Sequence, residues 1–264
     1  MRTSKASAHS FSLWCAYSVW YRQFQAYKRT WLVNCLPSLT EPLVYLLAFG
    51  VGLGPVIGEL QYHGSAVPYL SFLAPGMLGI AVVSQSYFEG AYGVYVRFRY
   101  ERSWQALLAG PLTFEDIFLG ETLWAATKGM IGCTATALVA YLFGVYSIAA
   151  YFHVLPFLIC ASILFASLGL FTAGIIRSID QINVPTFLFI IPMMVICGTY
   201  FPRDGLPTYL RIITELMPLS ALNNLLRLEL VHETPGIQDV ATLVIWTVLG
   251  CALGFRQIRR RVML

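Results

Sequence analysis

The sequence predicts an all-α integral membrane protein with six transmembrane helices in a single transmembrane domain. Three observations predict it. The 264 residues are 58% hydrophobic and 11% charged, with a mean hydropathy of +0.68, against about 25% charged residues in an average soluble domain. Six apolar stretches, residues 32–56, 69–96, 118–145, 154–176, 184–200 and 237–255, are each near or above the ~20 residues a helix needs to cross a bilayer core. The stretches are also continuous, whereas the strands of a membrane barrel read as alternating segments of about ten residues.

The first element, over residues 9–30, is expected to be an amphipathic helix lying along the inner leaflet. Arg2 and Lys5 before the apolar run that starts at Phe11 resemble the start of a signal peptide. No small-residue cleavage site follows, Arg22 interrupts the run, and Trp14, Trp20, Tyr21 and Tyr27 suit an interface. The first span carries Pro37 and Pro42 near one end and Gly50, Gly52 and Gly54 near the other. Glycines at every second position favour close helix approach or a loosened last turn. A short outer loop over 57–68 leads to the second span.

The insert at 97–121, RFRYERSWQALLAGPLTFEDIFLGE, sets a charged helix between two apolar runs. Trp104, Leu107 and Leu108 fall at i, i+3, i+4 on one face, and Arg97, Glu101 and Gln105 line another at steps of four. Gly110-Pro111 stops the helix. Thr113 is a candidate N-cap with Asp116 three residues on, which puts Glu115 and Asp116 in the positive first turn of the next helix. Residues 97–117 therefore read as helix, break, new helix, either docked on an aqueous partner or lying on lipid. The third and fourth spans form a hairpin with an outer turn around 146–153, and the turn at 177–183 is equally short, so these helices pack as antiparallel neighbours.

Residues 201–231 are too long for a turn and too apolar for a solvated loop. Two short helices, 209–217 and 221–231 broken at Pro218, measure 9 and 11 residues, roughly 14–17 Å each at the α-helical rise. That is half a bilayer, so a re-entrant pair is expected if protein or a wet cavity satisfies the freed backbone groups. An ordinary amphipathic hairpin outside the membrane is the competing reading.

Basic residues orient the chain. Arg2, Lys5, Arg22, Lys28, Arg29, Arg97, Arg99, Arg102, Arg177, Arg256, Arg259, Arg260 and Arg261 fall on one side of a six-span arrangement, and Arg203, Arg211 and Arg227 on the other. The positive-inside rule puts both termini and the insert in the cytoplasm. The net charge of +4 thus reflects topology, with the lipid bilayer as partner and no nucleic acid. The Arg259-Arg260-Arg261 tail suits anionic headgroups.

The six cysteines and four histidines are scattered without metal, haem or disulfide spacing. Neither a Walker A pattern nor a dinucleotide fingerprint occurs, and GxSxG and HExxH are absent, so no catalytic residue, metal or cofactor is expected in this chain. Three ionisable residues, Glu41, Glu89 and Lys128, fall inside expected spans, where each is costly unless paired or hydrated. Glu89 and Lys128 reach similar depth on either side of the insert. They bridge the second and third spans, line a polar path for a headgroup, or snorkel. An intramembrane enzyme built on these three residues is the competing function class.

With these segments read, a resemblance becomes usable. The insert Glu101-Arg102-Ser103-Trp104-Gln105-Ala106-Leu107-Leu108-Ala109-Gly110-Pro111-Leu112 resembles the coupling segment of ABC-2-type transporter permeases. Phe201-Pro202 through Leu206-Pro207, then Pro218-Leu219-Ser220 and Leu226-Arg227, resemble the signature these permeases carry between their last two spans. Glu41-Pro42-Leu43-Val44-Tyr45-Leu46-Leu47-Ala48-Phe49-Gly50-Val51-Gly52-Leu53-Gly54 and Leu119-Gly120-Glu121-Thr122-Leu123-Trp124-Ala125-Ala126-Thr127-Lys128 are similar to the nodulation protein J branch. The resemblance implies a half-transporter of the ABC-2, or type V exporter-like, fold. Two copies pair with two copies of a separate cytoplasmic ABC ATPase, nodulation protein I-like, which holds ATP and Mg. Glu101, Arg102, Trp104, Leu107 and Leu108 would couple to a cleft of that ATPase, and Phe201, Pro202, Pro207, Pro218 and Arg227 would form the outer re-entrant motif. The implied cargo is a lipochitin oligosaccharide exported across the bacterial inner membrane. Related branches export drugs, polysaccharides or lipid-linked glycans.

Overall fold

A computed structural model of the chain describes residues 11–231 and 234–263; the side chains of Cys35, Pro37, Glu41, Glu229, Val231 and Met263 fall outside the description. An amphipathic helix α1 (Leu13–Arg29) precedes the first span α2 (Trp31–Ile57). A hairpin of β1 (Glu59–Tyr62) and β2 (Ser65–Pro68) leads to α3 (Tyr69–Arg99). The insert forms α4 (Ser103–Leu108). Then come α5 (Phe114–Leu142), α6 (Ile148–Ile175) and α7 (Ile179–Ile196). Three short helices, α8 (Thr208–Glu215), α9 (Pro218–Leu226) and α10 (Leu228–Val231), precede α11 (Ile237–Met263). The helices α2, α3, α5, α6, α7 and α11 supply six candidate membrane spans.

The bundle is centred on α3, α5 and α6, which bury most of their surface, while α2, α7 and α11 flank them and expose most of theirs. Missing side chains set the closest crossings. A methyl on Gly90 of α3 would strike the Ala166 carbonyl and lie 3.1 Å from the Gly169 Cα, and a methyl on Gly169 of α6 would lie 2.8 Å from the Gly90 Cα. On α11, Gly250 and Gly254 form the four-residue small pair that lets membrane helices approach, and a methyl on Gly254 would meet the Ser167 carbonyl at 2.8 Å. α1 packs on α5 in the same way, because a side chain at Gly120 would run into Val19 Cβ at 2.6 Å and the Ala16 carbonyl at 2.7 Å. Its Ala16, Val19 and Gln23 are buried against the bundle, and Trp14, Tyr17 and Tyr21 face outward.

Several expected boundaries move, each for a local reason. The 57–68 loop is a β-hairpin, with Leu60 opposite Val67 and Tyr62 opposite Ser65. Its turn residues His63 and Gly64 have φ of 50° and 78°, the left-handed pair whose twist matches a two-residue connection. α6 starts at Ile148 because Ser147 caps it, the Ala150 N–H donating to Ser147 Oγ at 3.2 Å, so the outer turn is shorter than 146–153. α7 begins at Ile179 and ends before Gly198, whose φ of 76° turns the chain. α11 runs on past position 255 to Met263, carrying the basic tail in its last turns, where arginines complement the helix dipole. In the 201–231 segment the two short helices separate just before Pro218, which is the first residue of α9. The second expected short helix is divided at Arg227.

Three spans contain π-helical turns, Leu46–Leu53 in α2, Glu89–Gly93 in α3 and Thr186–Ile190 in α7. The wider winding leaves some carbonyls without their usual partner and is common at functional positions. The stretch Glu89–Gly93 holds one of the two charged residues expected inside the second and third spans.

Candidate functional site

The insert does not continue α3 as one helix. Arg102 takes φ 52°, a left-handed kink, after which α4 starts afresh. Ser103 Oγ donates to the Arg97 carbonyl at 3.0 Å and ties the two helices across the kink. This corrects the face drawn from Arg97 through Glu101 to Gln105: Arg97 turns into the protein, and Glu101 and Gln105 turn out. Trp104 is fully buried, its ring 5.9 Å from Phe98 and 6.1 Å from Phe114. Leu107 and Leu108 pack against the same core. The exposed face of the insert is therefore Glu101, Arg102, Gln105, Ala106, Ala109, Gly110 and Pro111. Trp104, Leu107 and Leu108 support that surface from behind, since an apolar face at helical spacing is buried wherever a core is within reach.

α5 begins with the expected capping box. The Asp116 N–H donates to Thr113 Oγ1 at 3.2 Å, and the Thr113 N–H donates to Asp116 Oδ2 at 2.9 Å. The other carboxylate oxygen, Asp116 Oδ1, accepts from the Ser12 N–H at 2.9 Å, so one buried side chain serves the starts of α1 and α5.

Between α3 and α5 runs a chain of four charges. Lys128 Nζ lies 2.8 Å from Glu89 Oε2, the bridge among the three arrangements their similar depth allows. Arg97 Nη1 lies 2.7 Å from Glu89 Oε1, and Arg97 Nη2 lies 2.8 Å from Glu121 Oε2. Trp124 Nε1 donates to Glu89 Oε1 at 3.0 Å, and Gln23 Nε2 of α1 donates to Glu121 Oε1 at 3.2 Å. Lys128, Glu89, Arg97 and Glu121 thus alternate in sign and cancel, the arrangement a low-dielectric interior requires of charges it holds. The side chain of Glu121 is wholly buried and that of Arg97 is 12% exposed. Arg97 and Glu121 were not among the expected intramembrane residues. Their signal is spacing, for Glu89 to Arg97 and Glu121 to Lys128 are eight and seven residues apart, two helical turns on one face. The side chain of Glu41 lies outside the described residues.

At the opposite end, Arg227 is buried and caps the end of α7. Its Nη1 donates to the Gly198 carbonyl at 2.7 Å, Nη2 to the Thr199 carbonyl at 3.1 Å, and Nε to the Phe72 carbonyl at 3.1 Å. The guanidinium also sits 3.7 Å from the Phe72 ring centroid, a cation–π contact. Burial pulls its pKa down to about 10, which leaves it charged at neutral pH. The same burial pushes the Tyr62 phenol up, with Arg227 opposing. Asn223 Nδ2 donates to the Cys197 carbonyl and to Thr199 Oγ1, each at 3.0 Å, and Arg203 bonds Ser220 and Asn224. The carbonyls released where α7 stops are in this way satisfied by side chains of α9 and its flank, the condition for irregular backbone among membrane helices. Of the expected outer motif, Pro218 starts the buried α9 and Arg227 ends it, whereas Phe201 is exposed and Pro202 and Pro207 precede short helical turns.

Two cavities border the start of α7. One, of about 410 Å³, opens between α3, α5 and residues 179–183 beside Glu89 and Lys128. The other, of about 620 Å³, is an apolar groove between α6, α7 and α11, lined by Phe171, Leu188, Phe189 and Trp246 among others. Among the described residues no group of three or more His, Cys, Asp or Glu side chains is placed to hold a metal ion.

Comparison with known proteins agrees with this architecture. Nodulation protein J of Neorhizobium galegae is 34% identical over 247 residues, 93% of each chain. Nodulation protein J of Rhizobium leguminosarum bv. viciae is 32% identical over 248 residues, covering 93% of this chain and 94% of the relative. The inner membrane transport permease YadH of Escherichia coli is 24% identical over 234 residues, 88% of this chain and 87% of its own. Residues 16–230 match the family described as ABC-2 type transporter, and the chain accordingly belongs to that family, as the multi-pass permease subunit of an ABC exporter.

Proposed function

We propose that two copies of this permease assemble with two copies of a nodulation protein I-like cytoplasmic ATPase and export a lipochitin oligosaccharide across the inner membrane. ATP and Mg belong to the partner, which carries out the hydrolysis, and both termini lie in the cytoplasm with α4. The observation that carries the cargo reading is the near full-length similarity to proteins named for nodulation. The basic count on the α1, α4 and C-terminal side supports the orientation.

In this reading the closing of the ATPases pushes on the exposed face of α4. The push reaches α3 through the Ser103–Arg97 contact and spreads to α5 and α1 through Glu89, Glu121 and Gln23. Coupling requires that the two states of the transporter differ in contacts at the α4 face. Substituting Glu101, Arg102 and Gln105 together by alanine is expected to abolish cargo-stimulated ATP hydrolysis in proteoliposomes, while the permease keeps its size-exclusion profile. Unchanged transport by that triple variant would refute the assignment.

A further inference from the structure

We propose that the cavity between α3, α5 and the start of α7 binds a neutral, hydroxyl-rich saccharide head of the cargo. The inference rests on the export reading above and assigns it a site. Tyr92 and Phe88 present aromatic surface at its mouth, 53% and 43% exposed. Asp180 and Asn183 line the other side, and Glu89 and Lys128 close the floor. The volume, about 410 Å³, falls within the roughly 300–1,000 Å³ of small-molecule sites.

The chemistry of the lining selects the ligand class. Tyr92, Asp180 and Asn183 make no side-chain hydrogen bond or ion pair among the described residues, so their polar groups are unspent. Glu89 and Lys128 already engage each other at 2.8 Å. Lys128, Glu89, Arg97 and Glu121 cancel one another, so Asp180 is the uncompensated charge of the lining, and it repels a phosphate-bearing head. A pyranose has what remains: hydroxyls that donate to Asp180 and exchange bonds with Asn183, and an apolar ring face that lies on Tyr92. Gly93 adds no side chain to the lining. The cavity sits at the end of the bundle that carries α4, the side on which a cargo made in the cytoplasm arrives.

The test uses the full-length permease with its ATPase in nanodiscs of zwitterionic lipid, with chitotetraose, maltotetraose and glycerol 1-phosphate as soluble probes. The wild type is expected to bind both tetrasaccharides and not the phosphate. Tyr92→Ala, and Asp180→Ala with Asn183→Ala, are expected to raise the tetrasaccharide Kd roughly five- to tenfold. All three side chains are exposed, so the variants keep their fold. No saturable tetrasaccharide binding, a Kd unchanged in both variants, or equal binding of glycerol 1-phosphate would overturn the proposal. Export of lipochitin oligosaccharide is measured alongside in proteoliposomes. If the wild type exports it while the variants leave Kd and transport unchanged, the cavity assignment alone falls. If the tetrasaccharides bind and the variants weaken them but lipochitin oligosaccharide is not exported, the cavity stands and the cargo reading falls.

Discussion

Removing Arg97 should expose how the four-charge chain is held together. In Arg97→Leu, Glu89 keeps Lys128 at 2.8 Å and the Trp124 indole at 3.0 Å. Glu121, wholly buried, keeps only Gln23 at 3.2 Å and the half-exposed Arg22 at 4.0 Å. Breaking a buried ion pair from one side costs about 3–5 kcal/mol, because an uncompensated charge is left behind. For a chain near this length each kcal/mol moves a thermal midpoint by roughly 2–4 °C, so Arg97→Leu is expected to lose about 6–20 °C. The second-site response is the sharper part. Adding Glu121→Gln removes the stranded charge and leaves a neutral Glu89–Lys128 pair, so most of the loss returns. Adding Glu89→Gln instead leaves Lys128 and Glu121, which do not touch, and restores nothing. Thermal midpoints of the purified full-length chain, followed by size-exclusion fluorescence, decide between them. Equal rescue by both second-site changes, or no loss in Arg97→Leu, would refute the chain as drawn.

Arg227→Met leaves the Phe72, Gly198 and Thr199 carbonyls without their donor and is expected to cost about 3 kcal/mol or more in the same assay, with Arg227→Lys recovering part by keeping the charge. Gly169→Leu drives a side chain into Gly90 and Ala91 of α3 and is expected to lower the yield of monodisperse permease sharply, whereas Gly52→Leu, which meets nothing, leaves it unchanged.

Much of the fold was legible because a bilayer imposes one strong rule, that spans are long and apolar. The rule locates the six spans and leaves their ends to local chemistry. Thr113 and Asp116 announce the start of α5 because a capping box is contiguous in sequence, and Glu89 and Lys128 announce each other because isolated charges in apolar runs have few options. The hairpin at Glu59–Tyr62 and Ser65–Pro68 went unread, since four-residue strands are too short for alternation to stand out. Arg97 and Glu121 were missed because each lies at the edge of a span, where a charge reads as topology and only three-dimensional contact shows it as part of a buried chain. The resemblance implies a docking role for Trp104, whose helical spacing with Leu107 and Leu108 is all the residues themselves show. That spacing identifies an apolar face, and whether the face meets core or partner depends on the kink at Arg102, which no residue type in the segment requires.

The double duty of Asp116 reaches beyond stability. Its two oxygens hold the start of α1, which packs along α5, and the first turn of the span that follows α4. Displacing the start of α5 without moving α1 means breaking one of those bonds. In the proposed export cycle, a stroke that shifts the start of α5 therefore carries the tryptophan and tyrosine side chains of α1 with it. The medium that surrounds α1 then enters the rate of that cycle, through a helix that touches neither cargo nor fuel.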